Sequence, residues 1–169
     1  MRREVDEEFA LYVRARQHRL LRAAFHVCGD RHLAEELVEG ALAKLATRWS
    51  RLRTEDPDAY VRRVLYRDAV SSWRRARRES LDLHLDPLAD DPGPHGGVDD
   101  RIDPERALEL LTPRQRAVLV LRFFEDRTEA DTAEALGVSI RSVRSQTDAA
   151  IAALRGVMPG LARTRGDPS

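Results

Sequence analysis

Apolar residues return along this chain with the period of a helix, and no run alternates with the period of two that a half-buried strand requires. Phe9, Val13, Leu20, Leu21, Ala24 and Phe25 share one face of a helix predicted to end at Cys28, with Gly29 as its stop. A second stripe, Leu33, Leu37, Val38, Ala41, Leu42, Leu45 and Trp49, follows an Asp30 placed to cap it. Asp56-Pro57, a capping acid with proline at the first helical position, opens a third helix through Val61, Val64, Leu65 and Ala69 to about Arg78. Periodicity then lapses between Ser80 and Asp103, where Pro87, Pro92, Gly93, Pro94, Gly96 and Gly97 gather.

Beyond this gap Asp103-Pro104 starts a short helix to Leu111. Thr112-Pro113-Arg114-Gln115 starts another, with a Thr cap and a Gln at the third position, as a capping box needs. Thr128-Glu129-Ala130-Asp131 repeats the device before a helix that stops at Gly137. Ser139 caps the last helix, whose inward stripe is Val143, Thr147, Ala150, Ile151 and Leu154. The pattern predicts an all-α protein of two small helical domains joined by an acidic flexible linker, with a helix-turn-helix in the second. The expected divisions are 1–79, 80–103 and 104–158, followed by a frayed tail over 159–169.

The 169 residues suffice for two small domains. No stretch approaches the roughly 20 apolar residues that cross a bilayer, and Met1-Arg2-Arg3-Glu4-Val5-Asp6 lacks the apolar core of a secretory leader. Cys28 is the only cysteine, so a disulfide within the chain and a multi-cysteine zinc site are excluded. A cytoplasmic protein is the expectation. Net charge is zero, which by itself argues against a nucleic-acid partner. The charge is segregated, however. Between Ser80 and Glu105 eight acids face one base, Arg101, leaving a surplus of seven positive charges on the rest. Separate surfaces for separate partners are implied.

Ala133, Gly137 and Val143 have the spacing of a DNA-binding helix-turn-helix. A small residue at 133 lets the helices cross closely, Gly137 accepts the left-handed turn, and Val143 pins the second helix to the first. Arg141, Arg144 and Ser145, with Gln146 beside them, then lie near the start of the recognition helix, where side chains reach base edges. A second basic patch lies on the third helix, where Arg62, Arg63, Arg67, Arg74, Arg75, Arg77 and Arg78 interleave with Tyr60, Tyr66 and Trp73. Arginines that track phosphates and rings that stack on unpaired bases suit single-stranded nucleic acid. The alternatives are an alanine-rich hairpin for the first motif and a solvated helix face for the second. Two basic surfaces on one tether favour DNA, because linked modules raise each other's effective concentration. Free in solution, the modules are expected to collapse on each other through basic faces and acidic bridge.

Other chemistry is weakly supported. His26, Cys28 and His32 are close in sequence, but one helix and a glycine turn do not aim all three together, so no metal and no cofactor is expected. Cys28 reads as a small buried apolar residue. There is no phosphate loop, nucleophile elbow or paired-carboxylate motif, so no enzyme is expected.

Three strings carry a family resemblance over nearly the whole chain: LLRAAFHVCGDRHLAEELVEGAL, PDAYVRRVLYRDAVSSWRRARRE and LTPRQRAVLVLRFFEDRTEADTAEALGVSIRSVRSQTDAAIAALR. The chain resembles the extracytoplasmic-function sigma factors of the sigma-70 family, in an actinobacterial, SigE-like type. The resemblance implies promoter-specific initiation of transcription on core RNA polymerase, bound at the beta-prime clamp and the beta flap. It implies a polymerase-binding helix with Glu35, Glu36, Leu37, Glu39 and Leu42, and Trp49 near its end, although Leu37 and Leu42 also belong to the core stripe. Arg62, Arg63, Tyr66, Arg67, Trp73, Arg74 and Arg75 fall in the part that opens and reads the minus-ten element. Arg141, Ser142, Arg144, Ser145 and Gln146 fall on the minus-thirty-five helix. Promoter DNA and an anti-sigma factor are the further partners implied, with a cytoplasmic, nucleoid-associated location and no membrane.

This chain departs from the family pattern at several positions. Gly40 sits inside a helix where an acid is usual, at a cost of about 1 kcal/mol relative to Ala. Arg67 replaces a common asparagine. Asp68 takes an apolar position and must find a partner or lie at an edge. Asp148, Ala149 and Ala153 stand where small or basic residues are usual. Gly40, Arg67 and Asp148 motivate an alternative, a sigma-like DNA- or polymerase-binding regulator that does not itself initiate.

Overall fold

A computed structural model describes residues 2–82 and 104–157, and its regular elements are all helical. The expected bridge from residue 83 onward and the expected tail lie outside the described residues, as do the side chains of Trp73, Arg74, Arg77 and Arg78. The first module comprises α1 (Arg2–Cys28), α2 (Arg31–Ala46), α3 (Trp49–Leu52) and α4 (Pro57–Asp82). The second comprises α5 (Pro104–Glu109), α6 (Pro113–Leu119), a π-helical turn (Val120–Phe124), α7 (Glu129–Leu136) and α8 (Ile140–Val157).

The predicted punctuation forms. Gly29 takes a left-handed φ of 69° after α1, and Asp30 accepts the Leu33 N–H at 2.9 Å. Thr112 and Gln115 close one capping box before α6, and Thr128 and Asp131 close another before α7. Three boundaries differ from the sequence reading. α1 begins at Arg2, because Val5 as well as Phe9 packs on the core and the charged residues around them are good helix formers. α4 runs to Asp82, past the expected division at residue 79, since the next proline is Pro87. The stripe read as continuous to Trp49 breaks after Ala46, where the Thr47 hydroxyl donates to the Lys44 carbonyl and competes with the helix ladder. The break turns Trp49 under α1, edge-on to Phe9 at 5.2 Å and tilted on Tyr12 at 5.1 Å.

The main core gathers Ala23, Val27, Leu37, Leu45, Val61 and Leu65 from the first module. It continues without interruption into Ala117, Val120, Leu121 and Ala135 of the second. Two smaller clusters belong to the second module alone. Leu111, Leu119 and Ala150 form one, and Val118, Ala133 and Val143 form the other, which fixes the helix-turn-helix. Fully burying a Val or Leu contributes about 1.5–3 kcal/mol, so the shared core stabilises the docking of the modules as well as each bundle.

Candidate nucleic-acid interface

The helix-turn-helix is built as its spacing requires. Gly137 has φ 66°, its N–H and that of Val138 close back on the carbonyls of Glu134 and Ala133, and Val143 is fully buried. Ser139 accepts the Ser142 N–H at 3.1 Å and starts α8. Along α8, Arg141, Arg144 and Ser145 are exposed, while Ser142 and Gln146 are half-buried. Arg141 has no ion-pair partner among the described residues, whereas Arg144 donates from Nε to Glu129 Oε2 at 2.8 Å. Asp148, Ala149 and Ala153 are all exposed on the same helix.

The basic face of α4 is in a different state, because acids of the second module sit on it. The π-helical turn ends with the Glu125 N–H on the Val120 carbonyl at 2.8 Å, and Asp126 follows in the left-handed region at φ 53°. This geometry turns Glu125 inward until it is 5% exposed. There it accepts from Arg62 Nε at 2.9 Å and from the Tyr66 hydroxyl at 2.9 Å. Tyr66 is 1% exposed. Burial, then the Glu125 charge and hydrogen bond, holds its phenol well above the ordinary pKa. Arg63 pairs loosely with Glu134 at 3.8 Å. Arg67 lies over the turn, 3.5 Å from the Glu134 carbonyl, where the negative end of the α7 dipole favours a cation. A Cβ at Gly137 would meet Arg67 Nη2 at 2.8 Å. Arg75 is exposed.

The modules meet at a second seam. Arg116 of α6 donates to the Val27 carbonyl at 3.4 Å, Arg22 lies 5.4 Å from the Phe124 ring centre, and His26 meets that ring edge-on. Contact of the modules through the basic face of α4 is therefore present, while the acidic bridge expected to share in it lies outside the described residues. Among the described residues, its acids are Glu125 and Glu134 of the second module. Neither stands out in the sequence as a contact, because the target of each lies in the other module, far away along the chain. The one local clue is Glu125 after Phe123-Phe124, an acid beside an apolar pair.

The set expected to bind polymerase divides in two. Glu36 and Glu39 are exposed on α2, and Glu35 pairs with Arg31 at 3.2 Å. Leu37 is 7% and Trp49 5% exposed, both in the core, and Leu42 packs against it. Trp49, expected near the end of the binding helix, lies on α3 instead. All three apolar residues are engaged in packing, while Glu36 and Glu39 face outward. Asp68 finds its partner in Lys44 at 2.7 Å, and Gly40 has no atom within 4 Å of where a Cβ would stand. The Cys28 thiol donates to the Asp30 carbonyl, and burial pushes its pKa up. His26, Cys28 and His32 form no metal-ligating group, and no other appears among the described residues.

Residues 12–79 match the family described as Sigma-70 region 2, and residues 107–156 match Sigma-70, region 4. The RNA polymerase sigma-E factor of Streptomyces coelicolor is 37% identical over 152 residues, covering 88% of this chain and 84% of that protein. The chain belongs to the sigma-70 family. It is a sigma factor of the extracytoplasmic-function group, with a region 2 and a region 4. The sigma-E factor of Streptomyces avermitilis is 36% identical over 156 residues, covering 88% of this sigma factor and 83% of that one. A solved sigma factor, RpoE of Bartonella quintana in complex with the anti-sigma factor NepR, shares the fold with a TM-score of 0.71 at 23% identity. The alignment covers 94% of this chain and 99% of that one. These likenesses give no support to a regulator that does not initiate. No helix among the described residues is long and apolar enough to cross a membrane.

Proposed function

We propose that this sigma factor joins core RNA polymerase through the outward acids of α2, Glu35, Glu36 and Glu39, on the beta-prime clamp, with region 4 on the beta flap. Arg141, Ser142, Arg144, Ser145 and Gln146 of α8 read the minus-thirty-five element. Arg62, Arg63, Tyr66, Arg67, Trp73, Arg74 and Arg75 of α4 engage and open the minus-ten element. The observation that carries this reading is the pair of arginine faces, one on each family region, with the second on a fully formed helix-turn-helix. The polymerase performs the covalent step, and the chain itself is not an enzyme. It works in the cytoplasm on the nucleoid, and an anti-sigma factor is a further partner, since the structural neighbour is held in such a complex.

In the arrangement seen here Tyr66 and Arg62 are occupied by Glu125, so entry into the minus-ten element requires region 4 to leave α4. Run-off transcription with purified core enzyme on promoters taken from transcripts raised by overexpression tests the function. A start-specific transcript dependent on the chain is expected. Its absence, with DNA binding intact, overturns the proposal in favour of the regulator that does not initiate.

A further inference from the structure

We infer that Glu129 is a positioning residue for minus-thirty-five readout, holding Arg144 so that its two terminal nitrogens meet one base pair. The inference rests on the proposed placement of α8 in the major groove. Glu129 stands at the first position of α7, whose start is fixed by the Thr128–Asp131 capping box. Asp131 is used up in that box, and its carboxyl lies below its ordinary range because of the Thr128 hydrogen bonds. Glu129 is left as the acid of the first turn that reaches across to α8. The two helices cannot slide past one another, because the Gly137 turn and the fully buried Val143 lock their crossing.

What Glu129 takes from Arg144 matters as much as the contact itself. The bond at 2.8 Å uses Nε, the inner nitrogen of the guanidinium. Nη1 and Nη2 make no hydrogen bond among the described residues, and the Arg144 side chain remains 66% exposed. Those two nitrogens form the fork that matches O6 and N7 of guanine. An arginine already fixed in plane loses less freedom on meeting a base than a mobile one. Arg141, one turn away and without an ion-pair partner among the described residues, has no such constraint and suits a phosphate, which accepts from many directions. Glu129 also brings a negative charge to a surface that approaches phosphates. Its removal should therefore move two quantities in opposite directions, weakening base discrimination and strengthening sequence-independent binding.

The test uses the full chain, a randomised duplex pool read out position by position, and an unrelated duplex for sequence-independent binding. Arg144→Ala is expected to flatten the preference at one position. Glu129→Gln is expected to lower the preference at that same position by about 2- to 10-fold, with unrelated duplex bound as well or better and the melting temperature unchanged. If Glu129→Gln leaves that position intact, or lowers every position together with the melting temperature, the carboxylate is only a staple between two helices and the inference falls. If Arg144→Ala flattens nothing, the base-reading role of Arg144 falls first and the positioning role with it.

Discussion

The arginines of α4 and those of α8 have the same chemistry and are found in opposite states. On α4, Arg62 is tied to a carboxylate that is 5% exposed, Arg63 leans toward Glu134 and Arg67 covers the end of α7. On α8, Arg141 and Arg144 stand in solvent, and among the described residues the acid that pairs with Arg144, Glu129, leaves its outer nitrogens free. The difference teaches that a net charge of zero is not diffuse here. Part of the acid complement is placed to occupy one arginine face while leaving the other open. On the proposed reading, a chain in this state would meet duplex DNA through region 4 before region 2 is released.

Glu125 is where this contrast breaks most easily. Glu125→Ala leaves the Arg62 guanidinium and the buried Tyr66 hydroxyl without their acceptor, and removing one partner of a buried pair costs about 3–5 kcal/mol. The loss should fall on the docking of the modules. Small-angle scattering should show a larger radius of gyration, and a single-stranded minus-ten oligonucleotide should bind more tightly to a less stable protein. An unchanged radius with unchanged binding would show that the α4 surface is not gated by region 4.

Tyr66→Phe is a milder version, since the ring stays and only the donor to Glu125 is lost. A hydrogen bond to a charged group contributes about 1.5–3 kcal/mol, read as a shift in denaturant midpoint. The same variant has a pH signature. The folded chain keeps the Tyr66 proton above the ordinary phenol pKa, so this stabilisation is complete below about pH 10 and is lost as pH rises toward the folded value. The wild type should lose stability in that alkaline window faster than Tyr66→Phe, although Tyr12, raised by burial and by Asp58, keeps part of the slope in both. Parallel curves would mean that Tyr66 is not the group held protonated by the fold.

Both capping boxes and most of the four core stripes were legible in the sequence, because each depends on residues within one or two turns of each other. Asp30, Thr112, Thr128, Gly137 and Val143 do in the structure what their spacing announces. The occupation of α4 was legible only as an expectation of collapse. Its agents depend on a π-helical turn, and such a turn adds a residue to a helix without a sequence signal of its own. Trp49 was misplaced for a related reason. A stripe with helical spacing does not reveal that Thr47 interrupts the ladder and that the ring then serves the core. Asp68, costly if buried alone, was resolved by Lys44 from a different helix, which periodicity does not show.

Gly40 offers a control that should stabilise region 2 without touching either arginine surface. A Cβ there meets nothing within 4 Å, so Gly40→Ala should stabilise α2 by about 1 kcal/mol. The melting temperature should rise while the radius of gyration and the oligonucleotide affinity stay as they were. A rise in oligonucleotide binding would mean that the groove of Gly40, Lys44, Asp68 and Arg75 communicates with the α4 face.

The smallest effect is expected at Glu134, and it bears most directly on what holds the closed form. Its 3.8 Å pair with Arg63 is open to water, with side chains 67% and 38% exposed, so Glu134→Ala should cost no more than about 1 kcal/mol. Added salt screens such a pair and should erase even that difference, whereas the cost of Glu125→Ala should persist, because a buried pair is screened much less. Docking measured for the two variants at low and high ionic strength therefore separates two accounts of the same contact. If both variants lose docking equally and salt abolishes both losses, general attraction between a basic face and an acidic one holds the modules together. If only Glu125→Ala survives the salt as a defect, the closed form depends on one carboxylate with two donors and on the apolar core beneath it, and the proposed use of α4 at the minus-ten element requires that contact to break.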